Sequence, residues 1–204
     1  MSHDVDEASY PRLHEYLRSL PDGLDSYPEC KSKAVLIQTA IEGHDLALLK
    51  PGLPEPVRLA MLEPPSTGLW VPAPLSDAVF YAMVDSFYPT ADAVHRWTRA
   101  RTLHAARSKL YRALTRIARP MMLLRMTSAV HGLFQKGTDL DAVSGHADVA
   151  KIRLSHPPYL HGGLNHVSNV ALFEAMIEIA GGLAVKVEMT ASESTQALYE
   201  ARWK

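Results

Sequence analysis

The chain has 204 residues, of which 47% are hydrophobic, and a formal net charge of −1 at pH 7. These values exclude a disordered or fibrous chain and predict one globular domain with an extension. Cys30 is the only cysteine, which excludes a disulfide framework or thiolate zinc cluster and predicts a cytoplasmic protein. The acidic N-terminus is unlike a secretory signal, and the longest apolar stretches are too short for a membrane span.

The small net charge conceals an uneven distribution. Residues 1–90 carry 6 basic and 13 acidic side chains, whereas residues 91–120 carry 8 basic and 1 acidic. A block of this kind predicts either an internal pairing surface or an anionic partner, and the acidic residues 1–90 favour internal pairing. A nucleic-acid partner is not predicted, because the whole chain is not basic and few aromatic residues accompany the basic block.

The first 90 residues are predicted to be helical with loops. A short amphipathic helix precedes "PDG", and "SKAVLIQTAIEG", ambiguous between strand and helix, is interpreted as a helix ending near Gly43. The proline-rich stretch 48–76 predicts a loop with one short helix at "EPVRLAML". In "SDAVFYAMVDSFYP", Ser76 is the predicted N-cap and Pro89 forbids continuation. The buried side of the first helix is predicted to consist of Leu13, Tyr16, Leu17 and Leu20.

The longest predicted helix covers residues 91–119, which contain neither proline nor glycine. Thr90 is its predicted N-cap, and Asp92 suits the positive end of its dipole. The face opposite its apolar arc is predicted to dock an acidic protein surface. That face carries Arg101, Lys109, Arg112, Arg116 and Arg119.

Arg107 falls inside the apolar arc of this helix, and His104 lies at its edge. A guanidinium directed at a core needs a partner, because burying it unpaired costs several kcal/mol. One alternative is a salt bridge to an acid such as Asp77 or Asp85. The second is a ligand carboxylate or phosphate in a cavity, and the third is an extended side chain that reaches the surface.

After residue 119 a further helix is predicted from Pro120 to a cap at Gly137, and then the period changes to strand-like alternation. "VSNVALFEAMIEIAGG" predicts a helix that crosses the strands, and "ASES" predicts a turn. The whole pattern predicts an α+β fold with a helical first part packed on a small antiparallel sheet. The predicted strand faces are Ala150, Ile152 and Leu154; Leu183, Val185, Val187 and Met189; and Ala197, Tyr199, Ala201 and Trp203.

The order of these motifs resembles a known family. A long helix is followed by "RPMMLLRMTSAVHGLFQKGT", a strand before a proline, a helix closing on "IAGG", then "VKVEM" and "LYEARW". The pattern is similar to the myxobacterial paralogous family of uncharacterised proteins, which is related in fold to the 4-vinyl reductase domain and distantly to the haem–nitric oxide binding fold. The resemblance covers residues 31–204 and leaves residues 1–30 as an N-terminal extension.

The resemblance implies a single α/β sensor-like domain with a small-molecule cavity, often paired as a homodimer. Two departures limit what it implies about cofactors. Family members commonly carry a cysteine in the last strand, where this chain has Ala197. The haem-binding relatives carry a Tyr-x-Ser-x-Arg motif, which this sequence lacks, so no haem or other cofactor is expected.

"HPPYLHGGLNH" places His156, His161 and His166 five residues apart, with His131 and His146 upstream. This spacing matches no common zinc template, so the segment is interpreted as a polar loop, at the mouth of a cavity, rather than as a metal site. No nucleophile elbow, phosphate-binding glycine loop or dinucleotide motif is present, so no catalytic residue is predicted.

These observations predict a non-enzymatic regulatory or sensory domain that binds a small apolar or anionic ligand. The predicted ligand-binding residues are Arg107, His104, His131 and His161. The alternative is a ligand-free protein–protein adaptor of the same fold, and the third choice is a metal-dependent enzyme. A homodimer is expected, because "VFYAMV" and "MMLLRM" offer more apolar surface than one small sheet covers.

Overall fold

The computed structural model describes residues 5–105, 119–145 and 148–204. The longest predicted helix is therefore described only as far as Ala105, and Arg107 and His146 lie outside the described residues. The chain divides into two compact units. The first unit comprises Met1–Pro89, Leu133–Gly137 and Pro157–Gly162, and the second comprises Thr90–Gly132, Thr138–His156 and Gly163–Lys204.

The first unit is built around one buried helix. Its helices are α1 (Pro11–Ser19), α2 (Val35–Ile41), α3 (Glu55–Leu62) and α4 (Ala73–Phe87). The first three pack against α4, whose residues 76–84 are all buried. The predicted apolar side of α1 is confirmed, since Leu13, Tyr16, Leu17 and Leu20 are all buried.

The predicted N-cap of α4 is wrong. The helix begins at Ala73, and Ser76 is buried inside its first turns. Pro74 lies in the first turn, where its missing N–H costs nothing and its fixed φ favours the helix. The other end is as predicted, because α4 stops at Phe87, two residues before Pro89.

A three-stranded sheet completes the first unit. It consists of β1 (Lys31–Lys33), β2 (Trp70–Pro72) and β3 (Gln135–Lys136), in the order β2-β1-β3 with antiparallel pairing. None of these strands was predicted, since each is only two or three residues long and too short to show alternation.

The predicted helix from Pro120 to Gly137 is only partly correct. It is divided into α6 (Pro120–Arg125) and α7 (Thr127–Phe134), and the chain then enters β3. Gly137 follows the strand with φ +76°, and a Cβ there would lie 2.5 Å from Cys30 Sγ. The glycine is therefore needed for a close approach to Cys30 and not for a helix cap.

The second unit combines helices with a four-stranded antiparallel sheet. Besides α6 and most of α7 it contains α5 (Ala91–Ala105), α8 (Gly163–Ile179), β4 (Asp139–Gly145), β5 (Val149–Ser155), β6 (Lys186–Ser192) and β7 (Gln196–Arg202). The strand order is β4-β5-β7-β6. The predicted N-cap of α5 is confirmed, because Thr90 Oγ1 accepts the N–H of Ala93 at 3.1 Å.

The predicted inward faces of β5 and β7 are confirmed. Phe173 and Ile177 of α8 share a core with the residues of these faces. The prediction for β6 is partly wrong, because the strand begins at Lys186, and Leu183 and Met189 are 68% and 44% exposed. β6 lies at the edge of the sheet, where only Val187 of its residues is buried. The buried faces are Ala150, Ile152 and Leu154, and Ala197, Tyr199, Ala201 and Trp203.

The predicted α+β fold class is confirmed by these helices and antiparallel sheets. Across the described ranges, no helix combines the length and the apolar character that a membrane crossing requires.

Candidate functional site

The first unit buries a histidine–carboxylate pair. His161 Nδ1 donates to Asp77 Oδ2 at 2.9 Å, and the two side chains are only 6% and 11% exposed. Asp77 lies on α4, and His161 lies in the segment that the sequence predicts as a polar loop. The loop prediction is correct for this residue, but the side chain faces the interior. A carboxylate removed from water needs such a donor, so the two groups depend on each other.

Tyr16 brings a second polar group to the interior of this unit. Its ring stacks on that of Tyr81, with centroids 4.7 Å apart and planes 24° apart. The side chain is 4% exposed, and its hydroxyl has no hydrogen-bond partner among the described residues. Burial raises the pKa of the Tyr16 phenol well above its ordinary value, and the negative charge of Asp77 adds to the rise. The phenol is therefore a protonated donor, and none of the described residues accepts its hydrogen.

The second unit buries a hydrogen-bond network around Tyr199. Its hydroxyl accepts from Asn169 Nδ2 at 3.2 Å and lies 2.8 Å from His166 Nδ1. The hydroxyl can accept a second hydrogen or donate its own, so the tautomer of His166 sets the direction of the contact with Nδ1. Burial raises the pKa of Tyr199 to about 12, so the phenol stays protonated at neutral pH.

The assignment of His166 to a loop is wrong. α8 begins at Gly163, so His166 is in its first turn with its ring turned towards Tyr199. Gly162 and Gly163 were interpreted as parts of a flexible loop, but Gly163 is the first residue of α8. His156 also lies in the second unit, with its ring centroid 6.1 Å from that of His166.

The predicted ligand-binding residues have different surroundings. His161 is paired with Asp77 in the first unit. In the second unit, His131 is half-buried with Nε2 2.8 Å from Thr138 Oγ1, and His104 is exposed near the end of α5. Arg107 lies outside the described residues.

The two acids considered as partners for Arg107 have other partners. Asp77 accepts from His161, as described above. Asp85 accepts the backbone N–H groups of Arg12 and Leu13 at 3.0 Å each, and Arg12 Nη1 lies 3.3 Å from its Oδ1. Asp85 thus stabilises the first turn of α1, where backbone N–H groups lack partners within the helix.

Two side chains in the described part of residues 91–120 contact acidic side chains of the same unit. Arg99 Nη2 donates to Glu178 Oε2 at 2.6 Å, and His95 Nε2 lies 2.8 Å from Glu174 Oε2. Both acids lie on α8, so these contacts join α5 to α8. The described part of the basic block therefore includes internal pairs, which is one of the two predicted outcomes.

The described residues offer little for metal or thiol chemistry. Over residues 5–105, 119–145 and 148–204, no group of three or more His, Cys, Asp and Glu side chains is placed to hold a metal ion. Cys30 is fully buried, and burial raises the pKa of its thiol to about 11. Its thiolate, which is the reactive form, is therefore scarce at neutral pH.

No family model matches the chain, and no curated protein matches it. Solved structures do match, and they are H-NOX domains, which have the haem–nitric oxide binding fold. A mutant of Cs H-NOX has a TM-score of 0.58 at 11% identity, covering 84% of this chain and 96% of that one. An oxygen-binding H-NOX domain related to soluble guanylate cyclases has a TM-score of 0.55 at 12% identity, covering 83% and 91%. The Fe(II) unliganded H-NOX protein from K. algicida has a TM-score of 0.54 at 10% identity, covering 84% and 96%.

At these identities the likeness shows a shared fold. The distant relation to the haem–nitric oxide binding fold is thereby confirmed for the architecture. The proposed membership of a myxobacterial family and the link to the 4-vinyl reductase domain stay predictions.

The described residues supply buried imidazoles but no enclosed cation for a haem. A haem needs an axial ligand such as an imidazole, and its two propionates need cationic or hydrogen-bonding partners. His161 and His166 are buried and have Nδ1 partners in their own units, and such a partner does not prevent an imidazole from ligating iron through Nε2. No lysine or arginine whose side chain the structure describes is buried, so none is available as an enclosed partner for a propionate.

Sequence reasoning missed most of the buried polar residues. Tyr16 and Tyr199 were assigned correctly to inward faces, but only as apolar surface. Asp77 was considered for Arg107 and not for His161, which is 84 residues away in sequence. A tyrosine or acid on an otherwise apolar buried face was the signal that could have indicated them.

Proposed function

We propose that this chain is a non-enzymatic sensory or regulatory domain that binds a small ligand, apolar or anionic. The observation that carries the proposal is the buried Tyr16 hydroxyl, which has no acceptor among the described residues. An unmet buried donor costs about 1–3 kcal/mol, and a ligand acceptor would recover that free energy. The fold supports the same conclusion, since the solved structures that share it include an oxygen-binding domain.

The chemistry around Tyr16 favours a particular kind of ligand atom. Tyr16 can only donate to a ligand, because burial and the charge of Asp77 keep its phenol protonated. The charge of Asp77 disfavours an anionic group at this point, so the acceptor is a neutral carbonyl or ether oxygen of an otherwise apolar molecule. His161 positions Asp77 by its 2.9 Å hydrogen bond and so belongs to the proposed site.

The other predicted ligand-binding residues remain part of the proposal. Arg107, His104 and His131 belong to the second unit and stay proposed ligand-binding residues there, with Arg107 as the proposed anchor for an anionic group and no link assumed to the site at Tyr16. Residues 31–204 are proposed to act as one α/β sensor-like domain, with residues 1–30 as its extension. The proposed relatives are the myxobacterial paralogous family and the 4-vinyl reductase domain.

The proposed sensor works in the cytoplasm by changing a contact with a partner. A homodimer is the first such contact, and an acidic protein docked on the basic face of the long helix is the second. No step of this proposal requires a cofactor, a metal or a catalytic residue.

Native mass spectrometry of the protein as purified tests the proposal. It should show a dimer mass and, on a fraction of the molecules, a small organic adduct that is lost on activation. Ligand binding would be contradicted if neither the dimer nor the monomer carried an adduct and if no added ligand raised the melting temperature of the protein. A monomer mass at micromolar concentrations would contradict the dimer alone.

A further inference from the structure

One face of the three-stranded sheet in the first unit is basic and aromatic. Lys33 lies opposite Trp70 in the register, and Lys31 lies opposite both Pro72 and Lys136. Directly opposite residues of an antiparallel pair share a face, so these five side chains lie on one side of the sheet. The other side is the buried one, where Ser32 and Val71 are 1% and 7% exposed. We name the outward side, formed by Lys31, Lys33, Trp70, Pro72 and Lys136, the lysine face.

The tryptophan holds two of the lysines in place. Lys33 Nζ lies 4.2 Å from the centroid of the Trp70 ring, and Lys136 Nζ lies 4.3 Å from it. Lys33 Nζ also donates to the carbonyl of Gly68 at 2.7 Å. Ammonium groups are attracted to the electron-rich face of an indole ring. The positive charges are therefore positioned before any partner arrives.

The lysine face has no internal counter-charge among the described residues. None of its three lysines forms an ion pair there, whereas Arg12 and Arg58 in the same unit pair with Asp85 and Glu55. The sequence of the first unit contains 7 basic and 13 acidic side chains, and three of those seven bases lie on this face. A concentrated positive patch on an acidic unit attracts negative charge from outside the molecule.

We propose that the lysine face docks an acidic segment of a partner protein, with Asp and Glu carboxylates against the three ammonium groups. This docking does not depend on the ligand proposed above, and it uses a different surface from the basic face of the long helix. Three strands are about 10 Å wide, which suits a short peptide. A nucleic acid suits the face less well, because the Trp70 ring is already occupied by ammonium groups and the surrounding unit is acidic.

Fluorescence anisotropy of a labelled peptide with six consecutive Asp and Glu residues tests the proposal on the full chain. The wild type should bind it at low salt, and Lys136→Glu should weaken binding about tenfold or more, since it reverses one of three adjacent charges. Lys50→Glu is the matched control, because Lys50 is an exposed lysine of the same unit that is not part of any strand of the sheet. It should change the affinity by less than about twofold.

Absence of binding by the wild type, or an equal loss in Lys50→Glu, would overturn the proposal. Tighter binding of a single-stranded oligonucleotide of equal charge would overturn it in favour of nucleic acid. Quenching of tryptophan fluorescence provides a second readout, because Trp97 and Trp203 are only 9% and 7% exposed. Iodide should quench the wild type more than caesium does, and Lys136→Glu should reduce that difference while Lys50→Glu leaves it unchanged.

Discussion

The two units use the same residue types, histidine and tyrosine, for different purposes. In the second unit the hydroxyl of Tyr199 accepts from Asn169 and lies 2.8 Å from His166 Nδ1, so it has two hydrogen-bond partners. In the first unit His161 holds a buried carboxylate, and the hydroxyl of Tyr16 lacks an acceptor among the described residues. The same two residue types thus leave the Tyr199 hydroxyl hydrogen-bonded and the Tyr16 hydroxyl without an acceptor in the described part of the chain, and only the second is proposed as a ligand contact.

The largest effect is expected from breaking the pair in the first unit. His161→Ala removes the donor of a buried carboxylate, and loss of one partner of a buried pair costs about 3–5 kcal/mol. Urea unfolding of the full chain measures this change in the free energy of unfolding. Adding Asp77→Asn to His161→Ala should restore part of the loss, because the unpaired charge is then removed.

An exposed histidine provides the control for this prediction. His104→Ala should change the free energy of unfolding by less than about 0.5 kcal/mol, as is usual for a surface substitution. A loss below about 1 kcal/mol for His161→Ala would show that Asp77 does not depend on the imidazole.

The network of the second unit should be less costly to break. Tyr199→Phe removes the shared oxygen and leaves a buried nitrogen of His166 without this partner, which costs about 1–3 kcal/mol. The same urea titration measures it. If Tyr199→Phe left the free energy of unfolding unchanged, the hydrogen bonds of the Tyr199 hydroxyl would contribute no stability. The two units would then not differ in this respect.

The free energy of unfolding should depend on pH above pH 9. Burial raises the pKa of the Cys30 thiol from 9.0 to about 11, so the folded chain holds this proton more tightly than the unfolded chain does. The corresponding stability is fully present below pH 9 and is lost as the pH rises towards 11. One such proton changes the free energy of unfolding by up to about 1.4 kcal/mol per pH unit.

Cys30→Ala should therefore show a shallower loss of stability between pH 9 and pH 11 than the wild type. Tyr199, with a pKa of about 12, should extend the loss to higher pH in both proteins. Identical slopes in the two proteins would show that the thiol does not titrate in this range.

The smallest effect on stability should come from the residue proposed to bind the ligand. Tyr16→Phe removes a buried hydroxyl that has no hydrogen-bond partner among the described residues, so it should leave the free energy of unfolding unchanged or raise it by about 1 kcal/mol. Tyr10→Phe is the matched control, since Tyr10 is fully buried in the same unit and donates to the carbonyl of Lys50 at 2.6 Å. It should lower stability by about 1 kcal/mol. A loss for Tyr16→Phe as large as that for Tyr10→Phe would show that the Tyr16 hydroxyl has a partner.

The sequence predicted elements whose pattern is local. Strand β7 with inward Ala197 and Tyr199, the short helix α3 and the Thr90 cap all follow from neighbouring residues. The start of α4 was wrong because Pro74 acts as a helix-starting residue rather than as part of a loop. The exposure of Met189 was wrong because its strand lies at the edge of the sheet, which alternation alone does not reveal.

The site was less predictable than the fold, because its contacts join distant parts of the chain. His161 and Asp77 are 84 residues apart, and His166 and Tyr199 are 33 apart. The five-residue spacing of the histidines drew attention to this segment, but the fold assigns His161 to the first unit and His166 to the second. Spacing along the sequence therefore could not identify the partner of either imidazole.

The most direct test of the proposed function is a melting experiment on the wild type, Tyr16→Phe and Tyr10→Phe. A panel of small molecules with an apolar body and one neutral carbonyl or ether oxygen is added to each protein. We expect at least one molecule of the panel to raise the melting temperature of the wild type and of Tyr10→Phe. Tyr16→Phe should lose most of this increase. A shift that Tyr16→Phe retains in full, or a panel without effect on the wild type, would contradict the proposed function.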